Sequence, residues 1–293
     1  MKIIYIIPVF NDEESFLNLL KVIKNTNKDY NNNFIIVNDC STHKFNKLPN
    51  KNKITEIILK NNQGSQKAIS IGLNYVFDKK ISFDFLIVMD SDGEDKPSDI
   101  KRLINLSKKN KNNLVIFASR KKRYESLLFK TLYFLYKALF RILTGKNIDF
   151  GNYSCIPKNR LKNLINVPFL DFHYSAAILN SKLKFDTILC DKGKRYSGES
   201  KMSYLGLFNH AAKSLSIFLK KIFLRFICVF FISNCIFLIN FSNLIVLQIN
   251  SLLLIIVLIF FTYLFLLTKI KITQKNAINK SNYVAFIKDI KFI

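Results

Sequence analysis

The sequence FLIVMDSDGEDKP, residues 85–97, joins a short apolar run to a cluster of acidic side chains. Phe85–Met89 is rich in β-branched and aromatic residues and predicts a buried strand. Asp90 and Asp92 follow it at once, so two carboxylates leave the strand together at its carboxyl end. The stretch therefore predicts a sheet with a polar edge suited to ligand binding.

Apolar runs of the same kind alternate with amphipathic segments in the first half of the chain. Further strands are predicted at Ile3–Pro8, Phe34–Val37, Ile54–Leu59 and Leu114–Ala118. Helices are predicted where apolar residues recur at spacings of three and four, at Asp12–Lys24, Gln66–Phe77 and Pro97–Lys108. This β-α-β-α succession predicts an α/β fold with a doubly wound, mostly parallel sheet.

Polar loops also follow the first three predicted strands. They run Pro8-Val-Phe-Asn-Asp-Glu-Glu14, Asn38-Asp-Cys-Ser-Thr42 and Asn61-Asn-Gln-Gly-Ser-Gln66. Each loop also has a local structural role as an alternative to ligand binding. The alternatives are a helix cap at Asn11 and Asp12, an Asx turn at Asp39 with Ser41, and an ordinary loop at Asn62 with Gly64. Loops at the carboxyl ends of such a sheet meet in one crevice, which favours a shared ligand site.

Asp90 and Asp92 are predicted to hold a divalent cation. Mg²⁺ or Mn²⁺ bound by one or two carboxylates completes its coordination with water and phosphate oxygens, so it can neutralise a diphosphate leaving group. Acidic residues after a strand also cap helices and form turns. That alternative applies to Asp95 and Ser98 more than to the pair of aspartates.

The charge of the chain indicates an anionic partner. Forty-five Lys and Arg against 20 Asp and Glu give a net charge of +25, which suits phospholipid, nucleic acid or a phosphorylated substrate. Apolar residues make up 49% of the sequence and concentrate after residue 221, so a lipid surface is favoured over nucleic acid. The five cysteines include no Cys-x-x-Cys pair, which predicts neither a zinc site nor a disulfide framework.

An apolar block late in the sequence predicts a transmembrane hairpin. Ile222–Asn240 and Leu244–Leu267 are almost wholly apolar, and helices of this length span a hydrocarbon core of about 30 Å. Lysines flank the block and none lies in its turn, so both ends are expected to face the cytoplasm. The expected order is a globular domain at 1–220, two transmembrane helices at 221–268 and a basic cytoplasmic tail at 269–293.

The segment Ser126–Leu143 predicts an amphipathic helix. Helical spacing over residues 123–141 sorts basic and apolar side chains onto opposite faces, with Arg123, Lys130, Lys137 and Arg141 on one and Leu128, Leu132, Leu135 and Leu139 on the other. Such a helix suits an anionic membrane surface, whereas the alternative is a core helix with a solvated basic face. A second juxtamembrane helix is expected at about 203–220.

Four motifs together resemble family 2 glycosyltransferases. Pro8-Val-Phe-Asn-Asp-Glu-Glu14 is similar to Pro-Ala-Tyr-Asn-Glu-Glu, and Val37-Asn-Asp-Cys-Ser-Thr42 to Val-Asp-Asp-Gly-Ser-Thr. The third motif of the family is similar to Asn62-Gln-Gly64 followed by Ala68 and Gly72. The fourth motif is similar to Asp90-Ser-Asp-Gly-Glu-Asp-Lys-Pro97. The resemblance covers residues 1–100 and implies a GT-A fold, with Pro8, Phe10, Asp12 and Asp39 contacting the nucleotide and Asp90 and Asp92 holding sugar nucleotide and metal. Phe10, Asn38 and Cys40 depart from the family's Tyr, Asp and Gly.

Later motifs resemble the branch of that family that transfers sugars to polyprenyl phosphates, the dolichyl-phosphate mannosyltransferase and undecaprenyl-phosphate glucosyltransferase type. They are Ala118-Ser-Arg120, Asp149-Phe-Gly-Asn-Tyr-Ser-Cys155 and Arg195-Tyr-Ser-Gly-Glu-Ser-Lys201. The resemblance implies that Arg120 lies near an acceptor phosphate, and that Arg195, Ser200 and Lys201 lie near the donor diphosphate. Guanidinium and ammonium groups suit those roles. His173 has no counterpart and is expected to be packed or hydrogen-bonded rather than a base.

The motifs predict transfer of one sugar from a nucleotide-diphosphate donor to a polyprenyl phosphate, or another lipid-linked acceptor, at the cytoplasmic membrane face. Asp92 with Mg²⁺ or Mn²⁺, and Arg120, are expected to act in catalysis, because an anionic acceptor needs no strong base. The alternatives are a glycan-extending transferase with Asp149 or Asp171 as base, and a non-catalytic membrane scaffold. Nucleic acid is not expected as a partner, and homo-oligomerisation is left open.

Overall fold

The chain folds into two compact units. The computed structural model describes residues 1–42, 53–120, 127–198, 204–228, 251–266 apart from 253 and 256, and 282–293, without the side chains of 120, 127–130 and 204. The first unit comprises Met1–Leu127, Asp149–Lys201 and Ile278–Ile293. The second comprises Leu128–Ile148 and Met202–Ala277.

The first unit is an α/β domain built on one eight-stranded sheet. The strands are β1 (Lys2–Val9), β2 (Asn31–Asn38), β3 (Ile54–Leu59), β4 (Phe85–Val88), β5 (Val115–Arg120), β6 (Phe150–Pro157), β7 (Phe185–Cys190) and β8 (Ile287–Phe292). The helices are α1 (Glu13–Thr26), α2 (Ser65–Asp78), α3 (Ile100–Lys109), α4 (Leu127–Thr144), α5 (Leu161–Ile165), α6 (Tyr174–Asn180) and α7 (Tyr204–Ser216). Almost all of α4 and the whole of α7 belong to the second unit.

The sheet is mixed, with six of its eight strands running in the same direction. Its strand order is β7-β5-β6-β4-β1-β2-β3-β8. The strands β4, β1, β2 and β3 run parallel, and so do β5 and β7. β6 is antiparallel to β4 and β5, and β8 is antiparallel to β3. The α/β class is confirmed, and the expected mostly parallel arrangement is interrupted by β6 and β8.

The direction of β6 follows from the path of the chain. β5 ends at the carboxyl edge, which we define as the edge where β1 to β5 end. After an excursion into the second unit the chain returns at Asp149, whose carbonyl oxygen accepts a hydrogen bond from Ser119 Oγ at 3.0 Å. Because the chain re-enters at the edge that it left, β6 has to run back between its neighbours in the opposite direction.

The centre of the sheet is β1, which is buried along both faces. Tyr5 belongs to the cluster formed with α1 and α3, and its ring stacks on Phe34 at 4.9 Å. On the opposite face α2 approaches so closely that a Cβ on Gly72 would lie 2.8 Å from Ile6 Cγ2. Strands covered by helices on both sides are apolar throughout, which is why the runs at β1, β2 and β4 stand out in the sequence.

All five predicted strands and the three predicted helices of the first half are present. β2 begins at Asn31, three residues earlier than predicted. The early part is polar because Asn32 is a buried bridging residue, which donates to Asn27 O at 2.9 Å and accepts from Tyr5 Oη at 3.1 Å. Hydrogen bonds of this kind let a polar residue occupy a buried strand position.

The end of the chain differs from the expected basic tail. Ile287–Phe292 forms β8, which pairs with β3 from Thr55↔Phe292 to Leu59↔Ile287. The strand carries Lys288 and Lys291 on exposed positions, as is usual for an edge strand protected against further pairing. The chain therefore returns to the first unit after the second, and only part of residues 269–293 can be called a tail.

The second unit is helical wherever it has regular structure in the described residues. α4 and α7 are joined by a hydrogen bond between Tyr136 Oη and Ser214 Oγ of 2.8 Å. The rings of Phe140 and Phe218 meet edge to face at 5.4 Å. Helical residues also occupy 219–228 and the described part of 251–266, and Tyr263 Oη donates to Asn209 Oδ1 at 3.0 Å.

α4 carries an apolar face that is open to solvent. Leu132, Leu135 and Leu139 are about half exposed, at 47, 56 and 46%. Phe140, on the other side of the helix, is fully buried. The leucine face predicted for this helix therefore does not pack into a core, which argues against the alternative of a core helix.

Among the described residues, no helix combines the length and hydropathy that a membrane crossing requires. About half of the residues in the two predicted spans, Ile222–Asn240 and Leu244–Leu267, fall outside those residues, since 229–250, 253, 256 and 267–281 are not described.

Candidate active site

The loops at the carboxyl edge are tied to one another by side-chain hydrogen bonds. The Asn11 backbone N–H donates to Ser41 Oγ at 3.0 Å, and Thr42 N–H donates to Asn11 Oδ1 at 2.8 Å. Ser91 Oγ donates to Asp12 Oδ2 at 3.3 Å. The loops after β1, β2 and β4 therefore meet, as the strand order β4-β1-β2 requires.

Asp12 precedes α1, but its side chain makes no capping hydrogen bond. The local alternative of a helix cap therefore does not account for this carboxylate, which faces the loop after β4 instead. Asn11 has a positive φ of 50°, a conformation that Asn tolerates better than most residues. It turns the chain so that its side chain reaches the β2 loop.

Asp39 joins the loop after β2 to the loop after β3. Its Oδ1 accepts the backbone N–H of Gln63 at 2.7 Å, and its Oδ2 accepts that of Gly64 at 2.8 Å. Burial raises the pKa of this carboxyl, and the two backbone hydrogen bonds and the charge of Lys67 act in the opposite direction. Each carboxylate oxygen retains a further lone pair, so the group can still accept a hydrogen bond from a ligand.

The neighbouring Asn38 has a structural role. Its Nδ2 donates to Glu56 Oε1 at 2.8 Å, and its Oδ1 accepts from Ser41 N at 2.9 Å. Both Asn38 and Glu56 are almost completely buried, with 4 and 3% exposure. The turn expected at Asp39 with Ser41 is thus made by Asn38, and the amide supplies the donor that a buried Glu56 needs.

Asp90 is the first member of a hydrogen-bonded chain across the edge. Asn152 Nδ2 donates to Asp90 Oδ1 at 3.4 Å, and Gln66 Nε2 donates to Asn152 Oδ1 at 3.1 Å. Gln66 Oε1 in turn accepts the backbone N–H of Tyr174 at 2.7 Å. β6, α2 and α6 therefore all help to position the first aspartate of the motif.

Asp92 is joined to Arg195. Arg195 Nη2 lies 2.5 Å from Asp92 Oδ2, and the Glu94 backbone N–H donates to Asp92 Oδ1 at 2.9 Å. Burial lowers the pKa of Arg195, but the bond to Asp92 and the charges of Asp92, Glu94 and Asp12 outweigh it, so the net shift is upward. A guanidinium thus remains charged beside an acidic cluster at the end of β4.

Arg195 is held there by close packing of its own loop on the β4 loop. Tyr196 N–H donates to Asp92 O at 2.9 Å, and Gly193 N–H donates to Glu94 O at 2.8 Å. A Cβ at Gly193 would lie 2.3 Å from the carbonyl oxygen of Gly93. No side chain fits in that space, so glycine is required for the two loops to meet.

A cavity of about 160 Å³ opens beside this pair. It is lined by Asn11, Asp12, Glu13, Glu14, Arg195, Ser197 and Gly198. Ser197 Oγ donates to Glu14 Oε2 at 2.8 Å, so the wall is closed by contacts between α1 and the Arg195 loop. The larger cavity, of about 830 Å³, lies at the opposite edge of the sheet around Met1, Asp84 and Lys158.

The carboxylates at the end of β4 suit a hard cation as ligands but do not form a complete site by themselves. No group of three or more His, Cys, Asp or Glu able to hold a metal occurs within the described ranges. Asp90 and Asp92 supply oxygen ligands of the type that Mg²⁺ and Mn²⁺ prefer, and such ions commonly take their remaining ligands from water and phosphate.

The remaining predicted site residues are placed as follows. Pro8 is buried in β1, beyond the last β1–β4 pair, Ile6↔Val88, so its missing N–H costs no ladder bond there. Phe10 is 39% exposed. Arg120 ends β5, but its side chain is outside the described residues, as are Ser200 and Lys201.

His173 caps a helix. Its Nδ1 accepts the backbone N–H of Ala176 at 3.3 Å at the start of α6, and the residue is 3% exposed. A packed, hydrogen-bonded residue is what the sequence suggested. Of the two acids named for the alternative mechanism, Asp171 contributes to the electrostatic environment of Lys67, and Asp149 accepts the Ser119 bond through its backbone.

Several residues of this edge were not singled out from the sequence. Gln66 and Asn152 orient Asp90, while Glu94, Lys192 and Tyr196 fix the Arg195 loop; Lys192 Nζ lies 2.9 Å from Glu94 Oε2. All five fall inside or beside the motifs. Their roles depend on contacts between distant segments, which no spacing within a motif reveals.

The comparisons with known proteins agree with this architecture. The family model "Glycosyl transferase family 2" matches residues 5–165, which is more than half of the chain. The chain belongs to that family, so the recognition of a family 2 glycosyltransferase from the motifs is confirmed.

Two curated relatives share the name undecaprenyl-phosphate 4-deoxy-4-formamido-L-arabinose transferase. The one from Photorhabdus laumondii is 27% identical over 223 residues, covering 71% of this chain and 65% of the relative. The one from Proteus mirabilis is 28% identical with the same coverage. The chain thus spans just under two thirds of the length of these relatives.

Solved structures with the same fold include two proteins named as glycosyl-3-phosphoglycerate synthases. Mannosyl-3-phosphoglycerate synthase from Rubrobacter xylanophilus matches with a TM-score of 0.56 at 11% identity, over 75% of this chain and 74% of that chain. Glucosyl-3-phosphoglycerate synthase from Mycobacterium tuberculosis, solved with Mn²⁺, uridine diphosphate and phosphoglyceric acid, matches with a TM-score of 0.52 at 11% identity, over 75 and 78%. At this identity the likeness concerns the fold alone.

Proposed function

We propose that the protein transfers a sugar from a nucleotide-diphosphate donor to a polyprenyl phosphate at the cytoplasmic membrane face. The observation that carries the proposal is the pairing of Asp92 with Arg195 at the carboxyl end of β4, beside a cavity and next to Asp90. A departing diphosphate is stabilised by basic groups, and its counter-ion is held by acidic groups, so both kinds of group are needed at one place.

In this proposal the two aspartates would hold Mg²⁺ or Mn²⁺, which would supply charge neutralisation at the leaving diphosphate. Arg195, with Ser200 and Lys201, binds the diphosphate through charge-assisted hydrogen bonds. Pro8, Phe10, Asp12 and Asp39 form the nucleotide side of the site. Arg120 holds the acceptor phosphate, which is already an anion near neutral pH and needs no general base.

The acceptor is inferred from the relatives, whose names specify undecaprenyl phosphate, and from the motifs at 118–120 and 195–201. The use of Mn²⁺ with a uridine nucleotide by a protein of the same fold supports a divalent cation. Uridine diphosphate is therefore the first donor nucleotide to test.

Membrane association is supported by the apolar sequence of 222–267 and by the exposed leucines of α4. We infer two spanning helices, with the catalytic unit and both termini on the cytoplasmic side. Support for an even number of crossings comes from β8, because the sequence after the apolar block returns to the same sheet as the sequence before it.

The decisive experiment is transfer by the full chain purified in detergent. Undecaprenyl phosphate, a panel of radiolabelled nucleotide sugars and Mn²⁺ should give a labelled lipid product, and chelation should abolish it. Asp92→Asn should reduce product formation to background. Asp84→Asn is the matched control, since that exposed carboxylate lies at the opposite end of the same strand.

The acceptor is tested in the same assay. A product with oligosaccharide but none with lipid phosphate would replace this proposal by the glycan-extending alternative. That enzyme would depend on Asp149 or Asp171 and would lose activity at low pH as the base is protonated. Failure to bind any nucleoside diphosphate with Mn²⁺ would favour the non-catalytic scaffold.

A further inference from the structure

The last described residues of the chain contact the end of β3 and the first turn of α2. We call residues 282–293 the return segment, because they rejoin the first unit after the second. Its 3₁₀ turn, Tyr283–Phe286, lies along α2 and β3. Lys60 N–H donates to Phe286 O at 2.9 Å, and Tyr283 is hydrogen-bonded to Asp78 at the end of α2.

Phe286 lies directly against a lysine in the first turn of α2. The Lys67 Nζ is 3.6 Å from the centre of the Phe286 ring, within the range of a favourable cation–π contact. The same ammonium donates to Gln63 Oε1 at 2.7 Å. Two contacts from different directions therefore fix the position of a flexible side chain that would otherwise sample many rotamers.

The ammonium of Lys67 lies in the field of two carboxylates. Burial lowers the pKa of Lys67, and the charges of Asp171 and Asp39 oppose that effect. Burial raises the pKa of Asp39, and the positive charge of Lys67 opposes that effect. The Asp39 carboxylate in turn accepts the backbone N–H groups of Gln63 and Gly64, so one small network joins β2, the β3 loop, α2 and the return segment.

The position of this network relative to Asp92 indicates which part of a donor it can meet. β2 lies two strands from β4, a separation of about 10 Å at the usual spacing of strands. If the diphosphate lies at Asp92 and Arg195, the nucleoside is the part of the donor that extends across β1 toward Asp39 and Lys67. This separation places the network closer to the expected position of the nucleoside than to that of the diphosphate.

We propose that Phe286 of the return segment positions Lys67 to donate a hydrogen bond to the nucleoside of the donor, so that the end of the chain helps to determine nucleotide specificity. This inference rests on the proposed function, which places a nucleotide diphosphate at the carboxyl edge. An ammonium recognises acceptor atoms, which are the carbonyl oxygens and ring nitrogens of a base or the ribose hydroxyls.

The test measures binding of the nucleoside and of the diphosphate part of the nucleotide separately. The full chain in detergent with Mn²⁺ is titrated with uridine, cytidine, guanosine and adenosine diphosphates, and the tightest binder is kept together with its free nucleoside and inorganic pyrophosphate. The variants are Lys67→Met, Phe286→Leu and the conservative Phe286→Tyr. Val284→Ala is the control, since Val284 belongs to the same 3₁₀ turn but is 57% exposed.

Lys67→Met should lower the affinity for the nucleoside diphosphate and for the nucleoside by about tenfold or more, because one hydrogen bond from a charged donor contributes that much. Phe286→Leu should act in the same direction, whereas Phe286→Tyr and Val284→Ala should bind as the unchanged protein does. Pyrophosphate affinity should stay constant in every variant. A variant that only loosened the fold would weaken all three ligands and lower the unfolding temperature without ligand.

Equal nucleoside affinity in Lys67→Met and the unchanged protein would overturn the inference and leave the proposed function intact. A loss of pyrophosphate affinity equal to that of the nucleoside would also overturn it, because Lys67 would then serve the diphosphate or the fold. Failure of the unchanged protein to bind any of the four nucleoside diphosphates would instead reject the proposed function itself.

Discussion

Asn38 shows how a departure from a family motif can be compensated within one protein. The motif resembled here has an acid at this position, and this chain has an amide whose Nδ2 donates to Glu56 Oε1 at 2.8 Å. Both side chains are almost completely buried. A carboxylate in place of the amide would face Glu56 without a proton between them, and two like charges in a buried site are strongly unfavourable.

We therefore expect Asn38→Asp to lower the free energy of unfolding by about 3 kcal/mol, as for other broken pairs of buried polar groups. The additional change Glu56→Gln should recover more than half of that loss, since the new amide can donate to the new carboxylate. Chemical unfolding in detergent measures both variants at neutral pH. Additive losses in the double variant would show that residues 38 and 56 do not interact.

Arg195 joins the acidic cluster at the end of β4 to the candidate site. It lies 2.5 Å from Asp92 and lines the cavity with Asp12 and Ser197. Arg195→Met should lower kcat/KM for sugar transfer by about 100-fold, as when a preorganised donor to a developing anion is removed. Steady-state kinetics with varied donor provides the measurement.

Arg102→Met is the matched control for that change. Arg102 also pairs with an aspartate, at 2.7 Å from Asp99, but its side chain is 52% exposed and lies on α3. Exposed pairs of this kind contribute little to stability. A similar loss of kcat/KM in both variants would mean that the effect of Arg195→Met comes from general charge or folding rather than from the site.

At the scale of the element, the pairing of β8 with β3 depends on which backbone N–H groups of β8 face β3. Ile293 exchanges both hydrogen bonds with Ile54, at 2.8 and 3.2 Å, and in an antiparallel ladder such pairs recur at every second residue. Lys291, opposite Glu56, is therefore the next inward-facing position. The N–H of Ile290 faces outward and donates to Asp289 Oδ1 at 2.8 Å.

Proline at these two positions should have different effects. Lys291→Pro removes an inward N–H and should destabilise the first unit by about 2 kcal/mol, whereas Ile290→Pro should cost far less because its N–H is not part of the ladder. Thermal unfolding and hydrogen exchange at β3 would distinguish the variants. Equal effects would show that β8 is not paired in the register Glu56↔Lys291.

Much of the first half of the fold could be predicted because its strands are covered on both faces. β1 and β4 are near-continuous apolar runs, and the helices of the first half are regularly amphipathic. β7 was not predicted, since it is largely exposed and its apolar residues do not alternate regularly. β8 lies at the sheet edge and carries Lys288, Asp289 and Lys291, so its sequence is typical of a charged tail.

The sequence allowed the strand-end residues of the candidate site to be predicted, but not the side-chain hydrogen bonds that join distant residues of the site. Asp90 and Asp92 stand out because they follow an apolar strand directly. The bond from Arg195 to Asp92 joins residues 103 positions apart, and the chain Gln66–Asn152–Asp90 joins three elements. Contacts of this range follow from the strand order, which periodicity within single segments does not determine.

At the scale of the whole molecule, the positive charge and the exposed apolar side chains together favour an anionic membrane surface. The net charge is +25, and basic residues near such a surface each contribute about 1 kcal/mol of attraction. α4 adds apolar area through Leu132, Leu135 and Leu139, which are about half exposed. An interfacial helix buries this kind of face at the boundary between headgroups and acyl chains.

We expect Leu135→Glu to reduce transfer to undecaprenyl phosphate in anionic lipid vesicles by about tenfold, because a carboxylate on the apolar face opposes insertion and is repelled by the surface. Donor binding in detergent should be unchanged, since α4 lies outside the first unit. Val284→Glu places the same charge on an exposed apolar residue of the first unit and should leave transfer nearly unaffected. If both variants kept full transfer in vesicles while Leu135→Glu remained folded, the exposed face of α4 would have no part in reaching the lipid acceptor.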